Sequence, residues 1–422
     1  MKVLVVTYDY HPDKSPNTYR WKNVLEAWVM NGVEVFVVSA QKEGFSEFEN
    51  VNGVNVYRTG RSLVEKIRFK LLKKDTGKKL SDSKSVGIAK ESLMRKIHDR
   101  TWKKIYFPDF AFLWRRPSMK LAQELIEKEN ITNLITVSWP FTDHVVGHKL
   151  KKKYGINWIA DTIDPFYLSD AVNNKALYHS LKYKLEKRIL SSADKVTVLT
   201  DKLKNKYALL YPLIANKLIV NHNLFIPYEV NGEKRSIQLS KIKLVFVGTL
   251  TPVTRSPKIV LELFSELIRY RPDLEMQLHF YGDTVQCNSF FNLYNSLLNE
   301  KIFIHGLVPR NDIPIILADA DVLVNIGNSN EYQEPSKLIE YIYLGKPILN
   351  VCSIIDDSSK EILDNYPLNL NIHETEIHMA EILDKVLTFF EAKQTLKENF
   401  IPEMIENYLL PEVEKRYFSL LN

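Results

Sequence analysis

The sequence predicts an α/β protein of two doubly wound, Rossmann-like domains in tandem, and three observations carry that prediction. Short β-branched runs alternate with segments of helical period, the pattern of a parallel sheet wrapped by helices. The alternation lapses once, between 223 and 241, through Pro227, Asn231 and Gly232, as an interdomain linker does. The length of 422 residues exceeds one ordinary core and fits two.

The first series opens with the apolar run 3–7, which is too short for a signal-peptide core and ends in Tyr8, Asp9, Tyr10, His11 and Pro12. It reads as a buried strand. A helix follows with Trp21, Val24, Leu25, Trp28 and Val29 on one face and Gly32 at its end. Further strands are expected at 33–38, 134–137, 158–161, 196–199 and 218–221, with helices between them. A second series places strands at 244–248, 276–281, 302–305, 322–325 and 347–351, and the chain reads as helical from about 376 to the end. The expected division is an N-terminal domain over 1–225, a linker over 226–242 and a C-terminal domain over 243–395, with helices over 396–422 packing back on the first domain. The two domains are expected to face each other across a cleft. No stretch approaches the roughly 18 apolar residues of a membrane span.

Hydrophobic residues at 45% and charged residues at 26% describe a packed chain and exclude a largely disordered one. Cys287 and Cys352 lack metal-ligand spacing and are too few for a disulfide framework, which points to buried thiols and a reducing, cytoplasmic compartment. The net charge of +6 is uneven: 61–104 holds fifteen Lys or Arg against five Asp or Glu, so this segment carries +10 and the remainder −4. Interleaved with Leu63, Ile67, Phe69, Leu71, Leu72, Ile97 and Trp102, it reads either as a solvated helical insertion or as a segment lying on an anionic membrane surface. It has none of the nucleic-acid recognition motifs.

In doubly wound sheets ligands collect beyond the carboxyl ends of the strands, so the loops that follow strands are the ones to read. The first, 248–258, runs from Gly248 and Thr249 to Arg255, Ser256, Pro257 and Lys258, where Pro257 suits the opening of a helix. Free N–H groups, the positive dipole end and two cations make a diphosphate site; the plain alternative is a pair of solvated surface cations. The second, 328–347, places Pro335 at a helix start and Gly345 at its end. Leu338, Tyr341 and Ile342 then pack inward while Ser336, Lys337 and Glu340 share one face. A carboxylate there can accept two vicinal ribose hydroxyls; the plain alternative is an intrahelical Lys337–Glu340 pair worth a few tenths of a kcal/mol.

The run Pro335-Ser336-Lys337-Leu338-Ile339-Glu340-Tyr341, with Gly345-Lys346-Pro347-Ile348-Leu349, resembles the donor-site helix of the family 4, or group 1, retaining glycosyltransferases of the GT-B fold. Asp319-Ala320-Asp321-Val322-Leu323-Val324 is similar to that family's preceding strand, and His305-Gly306-Leu307-Val308 to its base-binding turn. In the N-terminal half, 8–20 resembles the family's first loop and helix start, and 158–165 and 192–200 resemble segments of its polysaccharide-assembly members, so the likeness spans nearly everything except 61–104. The resemblance implies that Glu340 holds the ribose, Ser336 and Lys337 meet the diphosphate, Gly306 to Val308 border the base, and Arg255 clamps phosphate. Two positions depart from the pattern. Thr249 stands where many members have Arg, and Tyr332 where they often have a second glutamate, for which Glu331 or Glu334 are the nearby substitutes.

The resemblance further implies a nucleotide-diphosphate sugar as donor substrate, a glycan or lipid-linked acceptor, no cofactor and no metal. Asp319 and Asp321 have the spacing of a metal pair, but Asp321 begins an apolar strand. Asp161 and Asp164 at a strand end are candidates for an acceptor-side role, though Asp164 equally suits a cap of the turn before Pro165. A histidine of some relatives aligns with Ser138, which leaves His144 as the nearest candidate. A nucleotide-sugar epimerase of the same architecture and an inactive scaffold of a glycan-assembly complex are the alternatives.

Overall fold

The computed structural model of the chain describes residues 1–13, 15–60, 106–169, 175–229, 241–376, 380–392, 396 and 399–422. The basic segment 61–104 and residues 230–240 of the expected linker lie outside the described residues. Contacts divide the chain into two compact units, Met1–His222 with Val413–Asn422, and Asn223–Glu412.

The first unit is built on β1 (Lys2–Thr7), α1 (Pro16–Met30), β2 (Glu34–Ala40), β3 (Phe48–Val51), β4 (Val54–Thr59), α2 (Arg115–Glu129), β5 (Asn133–Ser138), α3 (Thr142–Tyr154), β6 (Asn157–Thr162), α4 (Lys175–Ser192), β7 (Lys195–Val198), α5 (Asp201–Leu210) and β8 (Leu218–Val220). Its sheet runs β3-β4-β2-β1-β5-β6-β7-β8. Every pairing is parallel except β3 with β4. Val3 to Val6 are wholly buried, which is why this strand reads as a continuous apolar run and not as an alternating one. Ser15 caps α1 by accepting from Thr18 N–H at 3.1 Å, and Trp21, Val24, Leu25 and Trp28 fill the core beneath.

The second unit carries β9 (Lys241–Val247), α6 (Lys258–Tyr270), β10 (Glu275–Tyr281), β11 (Ile302–Gly306), β12 (Val322–Ile326), α7 (Leu338–Tyr343), β13 (Ile348–Cys352) and β14 (Asn369–His373). The strands form one parallel sheet in the order β11-β10-β9-β12-β13-β14. Alternate residues of β9 feed two cores. Leu244 and Phe246 pack with α6 through Leu261 and Phe264, while Val245 and Val247 pack with Leu338, Tyr341 and Ile342 of α7. Cys287 and Cys352 are buried free thiols. Among the described residues no helix is long and apolar enough to cross a membrane.

Two boundaries differ from the sequence reading. The helix expected from Pro335 to Gly345 is only α7, because Pro335, Ser336 and Lys337 form the turn before it and Leu338 N–H donates to Pro335 C=O at 3.0 Å. The segment 396–412 belongs to the second unit, where Ile405 and Tyr408 are buried against α7's side of the sheet, and only Val413–Asn422 joins the first.

Candidate functional site

Chain order reverses within each sheet at one place, between β1 and β5 in the first unit and between β9 and β12 in the second. A crevice opens at such a switch point because the loops on either side depart in opposite directions. In the second unit the flanking loops are the two singled out in the sequence, and the structure joins them. Ser329 N–H donates to Thr254 C=O at 2.8 Å, and Arg255 Nε donates to Asn328 Oδ1 at 3.2 Å. Val247 N–H donates to Tyr341 Oη at 3.0 Å, fixing α7 against the end of β9.

Arg255 is half-buried. Desolvation lowers its pKa while Tyr341 and Asp357 oppose the shift, and a guanidinium stays charged under such a shift. Thr249, Ser336 and Lys258 are exposed, with Lys258 opening α6 after Pro257. Pro335 is buried beneath them. Glu340 is nearly buried and already engaged: Tyr228 Oη donates to Oε1 at 3.0 Å and Lys337 Nζ to Oε2 at 2.5 Å. Gly248, Gly282 and Gly306 lie side by side at the ends of β9, β10 and β11. Gly248 N–H donates to Tyr281 C=O at 2.9 Å and Gly282 N–H to Gly306 C=O at 2.7 Å. Gly306 therefore stands two strands from the crevice, and Val308 beyond it packs on the α7-side core.

The two candidate substitutes for the second glutamate part company. Glu331 lines an open depression of 560 Å³ with Ser329, Asn330, Asp356 and His373, beyond β12, β13 and β14. Glu334 instead bonds Tyr408 Oη at 3.2 Å and also Asn223, leaves its other oxygen without a partner, and has its pKa pushed up to about 7 by desolvation. Asp319 and Asp321 hold Lys243, through its Nζ at 2.6 Å and its N–H at 2.8 Å, which is a structural task.

In the first unit the sequence candidates do not converge. Asp161 is buried and accepts from Trp21 Nε1 at 2.9 Å, Thr197 Oγ1 at 2.6 Å and Tyr417 Oη at 2.7 Å. It is a core staple and not an acceptor-side group. His144 is likewise sealed between Thr136 Oγ1 at 2.7 Å and Thr162 Oγ1 at 3.2 Å, and burial lowers its pKa to about 3, so it stays neutral and offers no base to a substrate. Asp164 remains half-buried at the end of β6, where its main-chain oxygen accepts from Ser138 Oγ at 3.3 Å. The carboxyls gathered at this unit's switch point are Asp143, which accepts from Tyr8 N–H at 2.8 Å, and Asp109, which holds Thr142 N–H at 2.8 Å. Desolvation raises both, Asp109 to about 6.

No protein-family model matches the chain, and no curated protein matches it by sequence. Solved structures do. Sucrose-phosphate synthase from Thermosynechococcus elongatus aligns with a TM-score of 0.66 at 12% identity, over 100% of this chain and 98% of that one. Anabaena HepE, solved in complex with UDP, gives 0.65 at 12% identity over 99% of both chains. WaaG, a glycosyltransferase of lipopolysaccharide biosynthesis, gives 0.56 at 13% identity over 100% of this chain and 99% of that one.

The chain has the GT-B fold. At 12–13% identity in these matches, fold is what the likeness establishes. Against that GT-B frame the sequence reading passed over Asn328, Gly282, Tyr228 and Asp357. Gly282 carried a signal, a Gly-Asp pair directly after an apolar run, whereas Tyr228 and Asp357 reach the site only through tertiary packing.

Proposed function

We propose that this chain is a glycosyltransferase that moves a sugar from a nucleotide diphosphate to a glycan or lipid-linked acceptor, with retention of configuration and without a metal. The setting we propose is surface-polysaccharide assembly, of capsule, O-antigen or exopolysaccharide, in the cytoplasm or at the inner face of a membrane. The observation that carries the reading is the junction of the 248–258 and 328–340 loops at the β9/β12 switch point, where Arg255, Lys337 and Glu340 are gathered. HepE is solved with UDP and also with UDP and glucose, which supports a nucleotide-sugar donor.

The chemistry fits those groups. Transfer passes through an oxocarbenium-like state while negative charge grows on the departing diphosphate, so cations fixed at the leaving group stabilise the transition state more than the ground state. Arg255 is held in place by Asn328, and Lys258 and Lys337 add charge that needs no proton transfer. Glu340 takes the ribose hydroxyls in exchange for its bond to Tyr228. Glu331, not Glu334, faces open space near this site and is the group available to a sugar hydroxyl.

The test is thermal stability of the full chain against a panel of nucleotide diphosphates and nucleotide sugars. A ligand at 100 times its dissociation constant stabilises by about 2.7 kcal/mol. Glu340→Ala and Arg255→Ala should each weaken that ligand at least about ten-fold, since each removes a charged hydrogen-bond partner, and should lower the unliganded transition without unfolding the protein, since Tyr228 and Asn328 each lose a bonded partner. Unchanged affinity in both would remove the site from this crevice. Release of nucleotide diphosphate without an acceptor would replace transfer by hydrolysis, and a change of sugar configuration with no net release of nucleotide diphosphate would replace it by epimerisation.

A further inference from the structure

β11 is an edge strand of the second unit's sheet, and its pairing with β10 slips by one residue near the end. Phe280 lies opposite Ile304 and Tyr281 opposite Gly306, so His305 is the extra residue of a β-bulge. A bulge re-aims the side chain that it carries. Here the exposed His305 ring stacks on Tyr281, with centroids 4.1 Å apart and planes 5° apart. It also meets His279 of β10 edge to edge: His279 Nδ1 and His305 Nε2 are 2.9 Å apart, and the ring planes differ by 8°. Phe303 stacks on His279 at 4.8 Å. His144, His148, His179 and His373 bond hydroxyl groups, whereas these two histidines bond each other.

The hydrogens of this pair follow from its neighbours. Gln277 Oε1 faces His279 Nε2 at 3.3 Å, and an amide oxygen only accepts, so that nitrogen carries the hydrogen and Nδ1 offers a lone pair. His305 Nε2–H then donates to it. Both rings are neutral at neutral pH, because burial and then the charge of Lys243 lower His279 to about 4 and lower His305 as well. Lys243 is itself held by Asp319 at 2.6 Å, which offsets its charge. Moving the His305 proton from Nε2 to Nδ1 leaves two lone pairs in one plane facing one gap, with no net release of a proton. A nearly buried imidazole whose far nitrogen donates to a carbonyl oxygen, and whose near nitrogen faces a second, exposed imidazole, has the surroundings of a metal-ligating histidine.

We propose that His279 and His305 chelate one divalent transition-metal ion of the kind that favours imidazole, with Gln277 orienting His279 and water completing the shell. Among the described residues there is no group of three or more His, Cys, Asp or Glu that could hold a metal, so the remaining positions go to solvent, which reaches the ion past the exposed His305. At metal–nitrogen distances of about 2.0–2.1 Å, two nitrogens in neighbouring positions of a square-planar or octahedral ion stand about 2.9 Å apart, and two on a tetrahedral ion about 3.3 Å. The observed separation therefore favours Cu2+ and Ni2+ over Zn2+. Each lone pair of the bonded pair points at the other ring, so binding turns the rings within their common plane, a movement that keeps His305 against Tyr281. The ion ties the edge strand to β10 just before the turn at Gly306. The site lies away from the β9/β12 crevice and does not depend on the transferase reading.

The experiment is titration of the untagged full chain with NiCl2 and CuSO4, followed by thermal stability, together with electron paramagnetic resonance of the one-to-one Cu2+ complex. Two tethered ligands gain about 100- to 10,000-fold over one, and the exchanged hydrogen bond takes back part of that. His305→Phe keeps a ring on Tyr281 and removes the nitrogen, so it should weaken Ni2+ at least about ten-fold while the metal-free transition stays cooperative. Gln277→Leu removes no ligand and should weaken Ni2+ about ten-fold through the lost orientation of His279. The parent's Cu2+ spectrum should show coupling to two imidazole nitrogens, a readout that needs no variant. Coupling to a single nitrogen would overturn the assignment. So would equal Ni2+ affinity in the parent and His305→Phe, or no metal-induced shift in the parent.

Discussion

Asp161 and His144 show what a side chain's identity conveys and what it withholds. A polar residue at the end of a buried parallel strand reads the same whether its partner is a substrate or another side chain. Here the partners of Asp161 are Trp21, Thr197 and Tyr417, far away in sequence in both directions, so no local pattern could have announced them. Glu340 was more legible, because its pairing with Lys337 is a matter of i, i+3 spacing, yet its bond to Tyr228 was not. Glu334 gives a prediction at this scale. Its pKa rises from the ordinary 4.5 to about 7 on folding, so the native state holds the proton more tightly than the unfolded chain. Stability from this group is therefore full at or below pH 4.5, falls as pH rises towards 7, and is flat above, by on the order of 2–3 kcal/mol in all. Glu334→Gln should match the parent near pH 4.5 and exceed it at pH 8 by on the order of 2 kcal/mol in chemical denaturation. A variant less stable than the parent at pH 8 would refute the assignment.

Elements were legible where one signal dominated. The strands that flank both switch points are apolar runs buried on both faces, and each was placed within three residues. The β3–β4 hairpin was missed although Asn52-Gly53 sits at its turn, with φ of 50° and 86° as a tight hairpin connection requires. The flanking residues hid it, since β3 is Phe-Glu-Asn-Val with no wholly buried position. The helix at 335–345 was drawn too long because proline at a first turn and glycine at an end bracket a turn plus a short helix as well as they bracket one long helix. The packing of strand ends yields a second prediction. Gly282 has φ of 122°, and a Cβ there would stand 2.0 Å from the carbonyl oxygen of Gly248. Gly282→Ala must push β9's end and the 248–258 loop aside, costing about 3 kcal/mol or more and weakening nucleotide binding at least about ten-fold. Calorimetry with and without nucleotide reads both effects. Unaltered binding would show that the loop's position does not matter to the ligand.

At the scale of the whole molecule, the two-domain plan was legible from length and from a single lapse of periodicity, while the exact return point of the chain was not. Return is decided by contacts that only the folded chain makes. Glu414 accepts from Trp28 Nε1 at 2.9 Å, and the Tyr417 ring packs tilted against Trp21 with centroids 4.7 Å apart. The main-chain oxygens of Val413 and Leu420 accept from Asn221 at 3.0 Å and Asn157 at 2.9 Å. Deleting 413–422 should therefore destabilise the first unit by at least about 4 kcal/mol, through an opened aromatic core, the loss of Tyr417's bond to Asp161 and orphaned donors on Trp28, Asn157 and Asn221, and leave the second unit's nucleotide response intact. Limited proteolysis should then cut within 1–222 and spare 223–412. Cleavage spread evenly over both would mean that the two units do not hold their structure separately.

The same return has a consequence in time. A ribosome makes Met1–His222 before Asn223–Glu412, but the residues that close the first unit's core, Val413–Asn422, are made only after the whole of the second unit. The intervening second unit takes on the order of ten to forty seconds to synthesise at about 5–20 residues per second. Throughout that interval Trp21, Trp28 and Asp161 lack their final partners, whereas Asn223–Glu412 has all of its own residues as soon as Glu412 is made. The domain encoded second is thus able to mature first, and the nascent first domain is the part of this protein that a holdase chaperone would shelter.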